Sequence, residues 1–115
     1  MLSVQDVVEI NKKIGEAGVL AKRGDLEFIL DRVKASKSMT KAAAALLYGI
    51  ITSHVFVDGN KRTAFQTMRA FVILNGKKLV HTQASDEKME SLLYEIAQNK
   101  ISRTGVEVIL EKMIE

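Results

Sequence analysis

The chain has 115 residues, of which 47% are hydrophobic, 27% are charged and 5% are aromatic, and its formal net charge is +3. This length and hydrophobic fraction predict one domain over residues 1–115 that buries a sizeable core, and they exclude a disordered chain. The small charge argues against direct nucleic-acid binding, the lack of a long apolar run excludes a bilayer-spanning helix, and the lack of cysteine excludes a disulfide framework.

Hydrophobic residues recur at helical spacing along most of the chain. Most of these segments follow a small polar residue of the kind that caps helix N-termini. The predicted caps are Ser3 for the first helix, Asp25 for the second, Ser38 or Thr40 for the third, Ser85 for the fifth and Ser102 for the sixth.

The third segment contains KAAAALLYGII, which is too apolar for a surface helix and therefore predicts a helix at the centre of the fold. The fourth helix is predicted to end at Asn75–Gly76, and the short stretch KKLVHT that follows is expected to be extended. The predicted fold class is all-α, a compact bundle of about six helices.

Between the central helix and the next amphipathic segment lies SHVFVDGNKRTAF, residues 53–65, which is unusually rich in polar residues. Phe56 is expected to anchor this loop to the core, because burying a Phe side chain contributes about 2–3 kcal/mol. Gly59 allows a positive φ or a close approach of the backbone to a ligand. The helical pattern resumes at Asn60, so this residue is expected to begin the fourth helix.

The start of that helix is a candidate anion site, because the first amides of a helix lack partners and the helix dipole is positive there. Lys61 and Arg62 are unfavourable beside a positive helix end, which favours a polyanionic ligand such as phosphate. Asp58 is suited to hold Mg²⁺ together with substrate phosphates. His54 is suited to act as a general base near neutral pH.

Simpler interpretations stay open for the same residues. The loop could be a plain connection in which Asp58 or Asn60 caps the helix and the two cations are solvated. A metal site on His54 and His81 is disfavoured, because no further His or Cys is available. The segment 15–24, with three glycines, is either a flap over the site or an ordinary connecting loop.

The run from His54 to Ala64, HVFVDGNKRTA, resembles the signature of the Fic/Doc family, and specifically its Doc (death-on-curing) branch. The segments GVLAKRGDLEFILDRVKAS and ISRTGVEVILEKMIE are more loosely similar to the family. The resemblance implies a compact all-α bundle in which the motif loop and the next helix N-terminus form an anion hole.

Fic proteins move AMP from ATP to a protein hydroxyl, but three positions of their motif differ here: Val55 replaces a Pro, Lys61 a Gly and Phe65 an Arg. Doc proteins share the Asn-Lys-Arg pattern. The resemblance therefore implies transfer of the γ-phosphate of ATP, with Mg²⁺, to a Ser or Thr of a target protein, with elongation factor Tu as the expected target class. AMP transfer of the Fic kind and a catalytically silent nucleotide- or partner-binding domain are the alternatives.

The roles that the resemblance implies follow the same residues. His54 is the general base and Asp58 the Mg²⁺ ligand. Gly59, Asn60 and Lys61 line the anion hole, with the Asn60 side chain as a further donor, and Lys61 and Arg62 neutralise the transferred phosphoryl group.

Regulation is expected to come from outside the chain. The Fic inhibitory helix has only a partial match here, Ser91 to Glu95, and the Arg that its Glu would pair with is replaced by Phe65. Doc toxins are restrained by a separate antitoxin whose tail folds as a helix in a groove of the toxin. With no signal-peptide pattern at the N-terminus, we expect a cytoplasmic toxin of a toxin–antitoxin pair that makes no membrane contact. The sequence does not predict its oligomeric state.

Overall fold

The structure is a computed structural model that describes residues 2–115, and within this range six α-helices follow one another. They are α1 Val4–Lys13, α2 Arg23–Ala35, α3 Met39–Thr52, α4 Asn60–Leu74, α5 Gln83–Ala97 and α6 Arg103–Met113. The all-α prediction is confirmed, as is the end of the fourth helix, because α4 stops at Leu74 and Gly76 adopts a φ of +77°.

Three of the predicted caps are confirmed. The side chains of Ser3, Ser38 and Ser102 each accept a hydrogen bond from the backbone amide three residues later, at 3.1–3.2 Å. At Ser3 the bond is reciprocal, because the Asp6 carboxylate accepts from the Ser3 amide at 2.9 Å. These backbone and side-chain hydrogen bonds lower the pKa of Asp6.

The prediction that Asp25 caps the second helix is wrong. Helix α2 begins at Arg23, after Lys22, whose side chain makes no capping bond. The reason is tertiary: the amides of Ala21 and Lys22 both donate to the carbonyl of Val55, at 2.8 and 3.1 Å. This pairing fixes the chain direction before the helix starts, and Asp25 lies in the first turn.

Ser85 does not cap the fifth helix either. Thr82 is the N-cap of α5, and its side chain accepts from the Ser85 amide at 3.1 Å. The Ser85 hydroxyl in turn accepts from the Thr82 amide at 2.8 Å. Both residues are of a type that can cap a helix and they form a reciprocal pair, so the sequence pattern indicated Ser85 although Thr82 is the N-cap.

Helix α3 is the centre of the packing, as its composition predicts. It contacts α2, α4, α5 and α6. Half of its residues are buried in the core, and these are Ala42, Ala43, Ala44, Leu46, Leu47, Ile50 and Ile51. Since α4 also packs closely on α3, the loop between them is held at both ends by core helices.

Within residues 2–115, β pairing is confined to two isolated antiparallel bridges. Leu79 pairs with Ile114, so the predicted extended piece KKLVHT is confirmed in part. Leu20 pairs with Phe56 and joins the segment before α2 to the polar loop. None of the helices in the described part of the chain is both long and apolar enough to cross a bilayer.

We expect Leu47→Ala to lower the free energy of unfolding by about 2–5 kcal/mol, because Leu47 is fully buried in α3 and the change leaves a cavity. Urea denaturation measures this loss. The control is Lys41→Ala, an exposed position on the same helix, which should stay within about 0.5 kcal/mol of wild type. Equal effects of the two changes would contradict the central place of α3.

Candidate functional site

His54 lies directly after α3, at the position where the backbone reverses. Ser53 is the C-cap, and His54 adopts a left-handed conformation with a φ of +50°. The His54 amide donates to the Ile51 carbonyl at 3.3 Å and the Val55 amide to the Ile50 carbonyl at 3.5 Å. This pattern is a Schellman motif, in which glycine is the usual left-handed residue.

A histidine in this place is unfavourable for stability, because a side chain in the left-handed region costs about 1–2 kcal/mol. The imidazole does not compensate by bonding, since it has no hydrogen-bond partner among residues 2–115 and is exposed. Backbone strain of this kind concentrates at functional sites. The geometry thus presents an unpaired imidazole at the start of the loop.

The loop is closed by Asn60 and Phe56. The side chain of Asn60 accepts from the Phe56 amide at 2.8 Å and donates to the Phe56 carbonyl at 2.9 Å. Phe56 is 2% exposed, which confirms that it anchors the loop to the core. The Asn60 side chain was expected to be a donor to the anion, and in the structure its Oδ1 and one of its two Nδ2 donors bond to the loop backbone.

Helix α4 begins with free amides. Gly59 is the N-cap, with a φ of +75°, which confirms the predicted positive φ. Within the described residues, the amides of Asn60, Lys61 and Arg62 have no acceptor. Three unpaired donors and the helix dipole therefore converge at this end of α4. The arrangement is suited to an anion.

Asp58 precedes this turn and is exposed. One of its carboxylate oxygens, Oδ1, accepts from the Gly59 amide at 2.8 Å, and the other has no partner in the described part of the chain. Between residues 2 and 115, no three side chains of His, Cys, Asp or Glu form a ready metal site. A single free carboxylate oxygen fits Mg²⁺, which commonly binds through one or two carboxylates and substrate phosphates.

Arg62 contacts a residue that the sequence did not single out. Its Nη2 donates to the Glu16 carboxylate at 2.9 Å, and its Nη1 to the Ile14 carbonyl at 3.3 Å. Glu16 is the more buried partner, with 23% of its side chain exposed against 63% for Arg62. Nothing local in the sequence links residues so far apart, so this pair could not be predicted from spacing.

Lys61 points to the opposite side of the turn. Its ammonium lies 5.2 Å from the centroid of the Tyr94 ring, in α5, which is cation–π geometry. Both cations of the motif are thus supported by neighbours, Lys61 by an aromatic face and Arg62 by a carboxylate. This support offsets part of the repulsion between two cations and a helix N-terminus.

The glycine-rich segment 15–24 lies beside the motif loop. The Val57 amide donates to the Val19 carbonyl at 3.1 Å, next to the Leu20–Phe56 bridge. The last two residues of the segment 15–24 belong to α2, which begins at Arg23. The position is compatible with the flap interpretation and with a connecting loop.

Asn11 is a second residue of the site that the sequence motifs did not indicate. It is 1% exposed and lies on the buried side of α1 with Val7 and Val8. Its side chain bonds to Gly18, Asp58 and Thr63, and so connects α1 to the site. The signal was available, because a polar residue at a helical spacing that otherwise holds core residues needs buried partners.

The predicted site is distinct from an apolar cleft elsewhere in the described structure. This cleft, of about 640 Å³, lies between α4 and α5 and is lined mainly by apolar side chains such as Leu93 and Met89. Phe65 and Arg69 of α4 line it, whereas His54 and the α4 N-terminal turn do not. The candidate site is therefore an exposed turn and loop.

We expect Gly59→Ala to be more destabilising than Gly76→Ala. Both glycines have a φ near +76°, at +75° and +77°. At Gly76 nothing lies within 4 Å of the added Cβ, whereas at Gly59 the Cγ of Glu16 would be 2.6 Å away. The expected losses in chemical denaturation are about 1 kcal/mol at Gly76 and about 2–3 kcal/mol at Gly59.

The double variant Gly59→Ala with Glu16→Ala isolates the contact. The double variant should recover most of the difference in stability between Gly59→Ala and Gly76→Ala. The clash with Glu16 is removed, and only the backbone strain remains. A Gly59→Ala protein as stable as the Gly76→Ala protein would show that Glu16 moves aside at no cost.

Comparisons with known proteins identify the family of the chain. The family model described as "Fic/DOC family" matches residues 2–72. The chain is also 40% identical over 55 residues to "Toxin Doc" of Mycolicibacterium smegmatis, a match that covers 48% of this chain and 42% of the relative. It thus spans less than half of that relative's length. Because the family model extends from α1 into α4 and includes the whole motif loop, the chain belongs to the Fic/DOC family.

Proposed function

We propose that the protein is a Doc-like toxin that transfers the γ-phosphate of ATP to a Ser or Thr hydroxyl of a target protein. The observation that carries the proposal is the start of α4, where three amides are unpaired and the same turn carries the cations Lys61 and Arg62. A terminal phosphate is the part of ATP with the highest charge, and it suits such a turn.

His54 is proposed as the general base. It is exposed, unpaired within residues 2–115, and held in a strained conformation at the edge of the loop. In the proposed reaction it takes the proton of the target hydroxyl while the hydroxyl oxygen attacks the γ-phosphorus. The bond from that phosphorus to the bridging oxygen breaks, and ADP leaves.

Phosphate binding is assigned to the first turn of α4. The amides of Asn60, Lys61 and Arg62 donate to phosphate oxygens. The side chains of Lys61 and Arg62 neutralise the charge that spreads over these oxygens in the transition state. Arg62 uses two of its donors on Ile14 and Glu16, and a guanidinium has five. Gly59 has no side chain of its own and leaves room for the Glu16 side chain, which bonds to Arg62.

Asp58 is the proposed Mg²⁺ ligand through its free carboxylate oxygen. When bound, the ion would neutralise phosphate charge and lower the repulsion between Asp58 and ATP. The chain itself supplies the carboxylate, and the Gly59 amide orients it.

Phosphate transfer is preferred to AMP transfer because of Lys61 and Phe65. Lys61 adds bulk and charge where the Fic motif has a Gly, which crowds an inner phosphate and favours a terminal one. Phe65 faces the apolar cleft and cannot replace the second Arg of that motif. AMP transfer remains the second candidate, and a silent binding domain the third.

The toxin role, the partner and the location are further proposals. They are supported by the family and by the name of the relative, "Toxin Doc". We propose a cytoplasmic toxin that a cognate antitoxin restrains, with a translation elongation factor such as elongation factor Tu as the target class. The proposal assigns no nucleic acid or membrane partner.

We expect His54→Ala to slow transfer from γ-labelled ATP by about 10²- to 10⁴-fold, the usual effect of losing a general base. His54→Gly should be equally inactive but more stable than wild type by about 1 kcal/mol, because glycine relieves the left-handed strain. Together the two variants separate loss of the base from loss of the fold. A rate near wild type for either variant would remove His54 from the mechanism.

Intact-mass spectrometry of a modified target separates phosphate from AMP transfer. Wild type should add about 80 Da, whereas AMP would add about 329 Da, because the mass gained is that of the transferred group. Lys61→Gly should lose most of the transfer, since it removes a charge from the phosphate site, and Lys61→Arg should retain it. An AMP-sized addition by the wild-type protein would overturn the kinase proposal.

A further inference from the structure

The buried side chain of Asn11 has every bonding group of its amide in use. Its Nδ2 donates to the Asp58 carbonyl at 3.1 Å and to the Thr63 hydroxyl at 2.9 Å. Its Oδ1 accepts from the Gly18 amide at 2.8 Å. One side chain of α1 therefore bonds to the motif loop, to the first turns of α4 and to the segment before α2.

The bond to the Asp58 carbonyl fixes a particular peptide group. The carbonyl of Asp58 and the amide of Gly59 belong to one planar trans unit, so they point in opposite directions. Asn11 holds the carbonyl on the buried side, and the Gly59 amide then points outward and donates to the Asp58 carboxylate at 2.8 Å. The orientation of the exposed carboxylate thus depends on a buried amide.

We propose that Asn11 is a positioning residue that sets the Asp58 carboxylate through the Asp58–Gly59 peptide. The consequence for metal binding rests on the proposed function, in which Asp58 holds Mg²⁺. The orientation of the Asp58–Gly59 peptide does not depend on the proposed function, because it follows from the hydrogen bonds alone. A partner that orients a metal ligand typically changes metal affinity or activity by about 10- to 100-fold when it is lost.

Asn11→Asp is the sharpest test. The new carboxylate has nearly the same shape and can still accept from Gly18 and from the Thr63 hydroxyl. In its ionised form it cannot donate to the Asp58 carbonyl, so the link to the peptide is lost. Asn11→Leu, which carries no charge, removes the same link without adding an anion near the site.

Hydrogen exchange followed by NMR reports the peptide directly. Exchange of the Gly59 amide should be faster by about three- to tenfold in both variants, the change expected for one lost hydrogen bond. In Asn11→Asp the Gly18 amide should keep its protection. The control is Val106→Ala in α6, which packs on α3, and it should lower the unfolding midpoint without selectively exposing Gly59.

Transfer assays then test the consequence for the site. The assays are run at a temperature well below the unfolding midpoint of each protein. The Mg²⁺ concentration for half-maximal transfer should be about 10- to 100-fold higher in both Asn11 variants than in wild type. It should stay at the wild-type value in Val106→Ala. A role in stability alone would affect the unfolding midpoint and leave the Mg²⁺ requirement unchanged.

The outcomes separate this proposal from the proposed function. If Gly59 exchanges at the wild-type rate in both variants, the positioning role is overturned. Faster exchange with an unchanged Mg²⁺ requirement in active enzyme overturns it as well. If wild type transfers nothing from ATP, the proposed function fails, and the exchange rates alone then support or overturn the control of the peptide by Asn11.

Discussion

The turn of the chain from α3 into α4 is the constraint on which the site depends. Both helices are core elements that pack on each other, so the short loop between them has little freedom. The loop begins and ends with left-handed residues, His54 and Gly59, and between them Phe56 is buried. Because Asn60 bonds to both backbone groups of Phe56, the anchor in the core and the start of α4 form one rigid unit.

The two left-handed positions are filled in opposite ways. Glycine at position 59 avoids strain and leaves room for Glu16, whose Cγ would be only 2.6 Å from an added Cβ. Histidine at position 54 keeps the strain and presents an imidazole. Glycine at position 54 would relieve this strain. The strained histidine supports the proposal that His54 acts through its side chain.

Much of the fold and part of the site could be predicted from the sequence. The apolar centre of α3 and the caps Ser3, Ser38 and Ser102 depend on local patterns, so local reasoning found them. The caps predicted at Asp25 and Ser85 were wrong for different reasons. Tertiary backbone hydrogen bonds to Val55 fix the start of α2, whereas Thr82, three residues before Ser85, caps α5. Glu16 and Asn11 reach the site through chain reversals that spacing does not encode.

The electrostatics of the turn follow from these long-range contacts. A lysine and an arginine at a helix N-terminus repel the helix dipole, and this explains why the sequence suggested a polyanion. In the structure Glu16 already supplies one negative charge, bonded to Arg62 and packed on Gly59. The charge of the turn is therefore partly balanced on the Arg62 side. In the proposed phosphate complex, the unpaired amides and Lys61, whose partner is a neutral ring, supply the attraction that Glu16 does not offset.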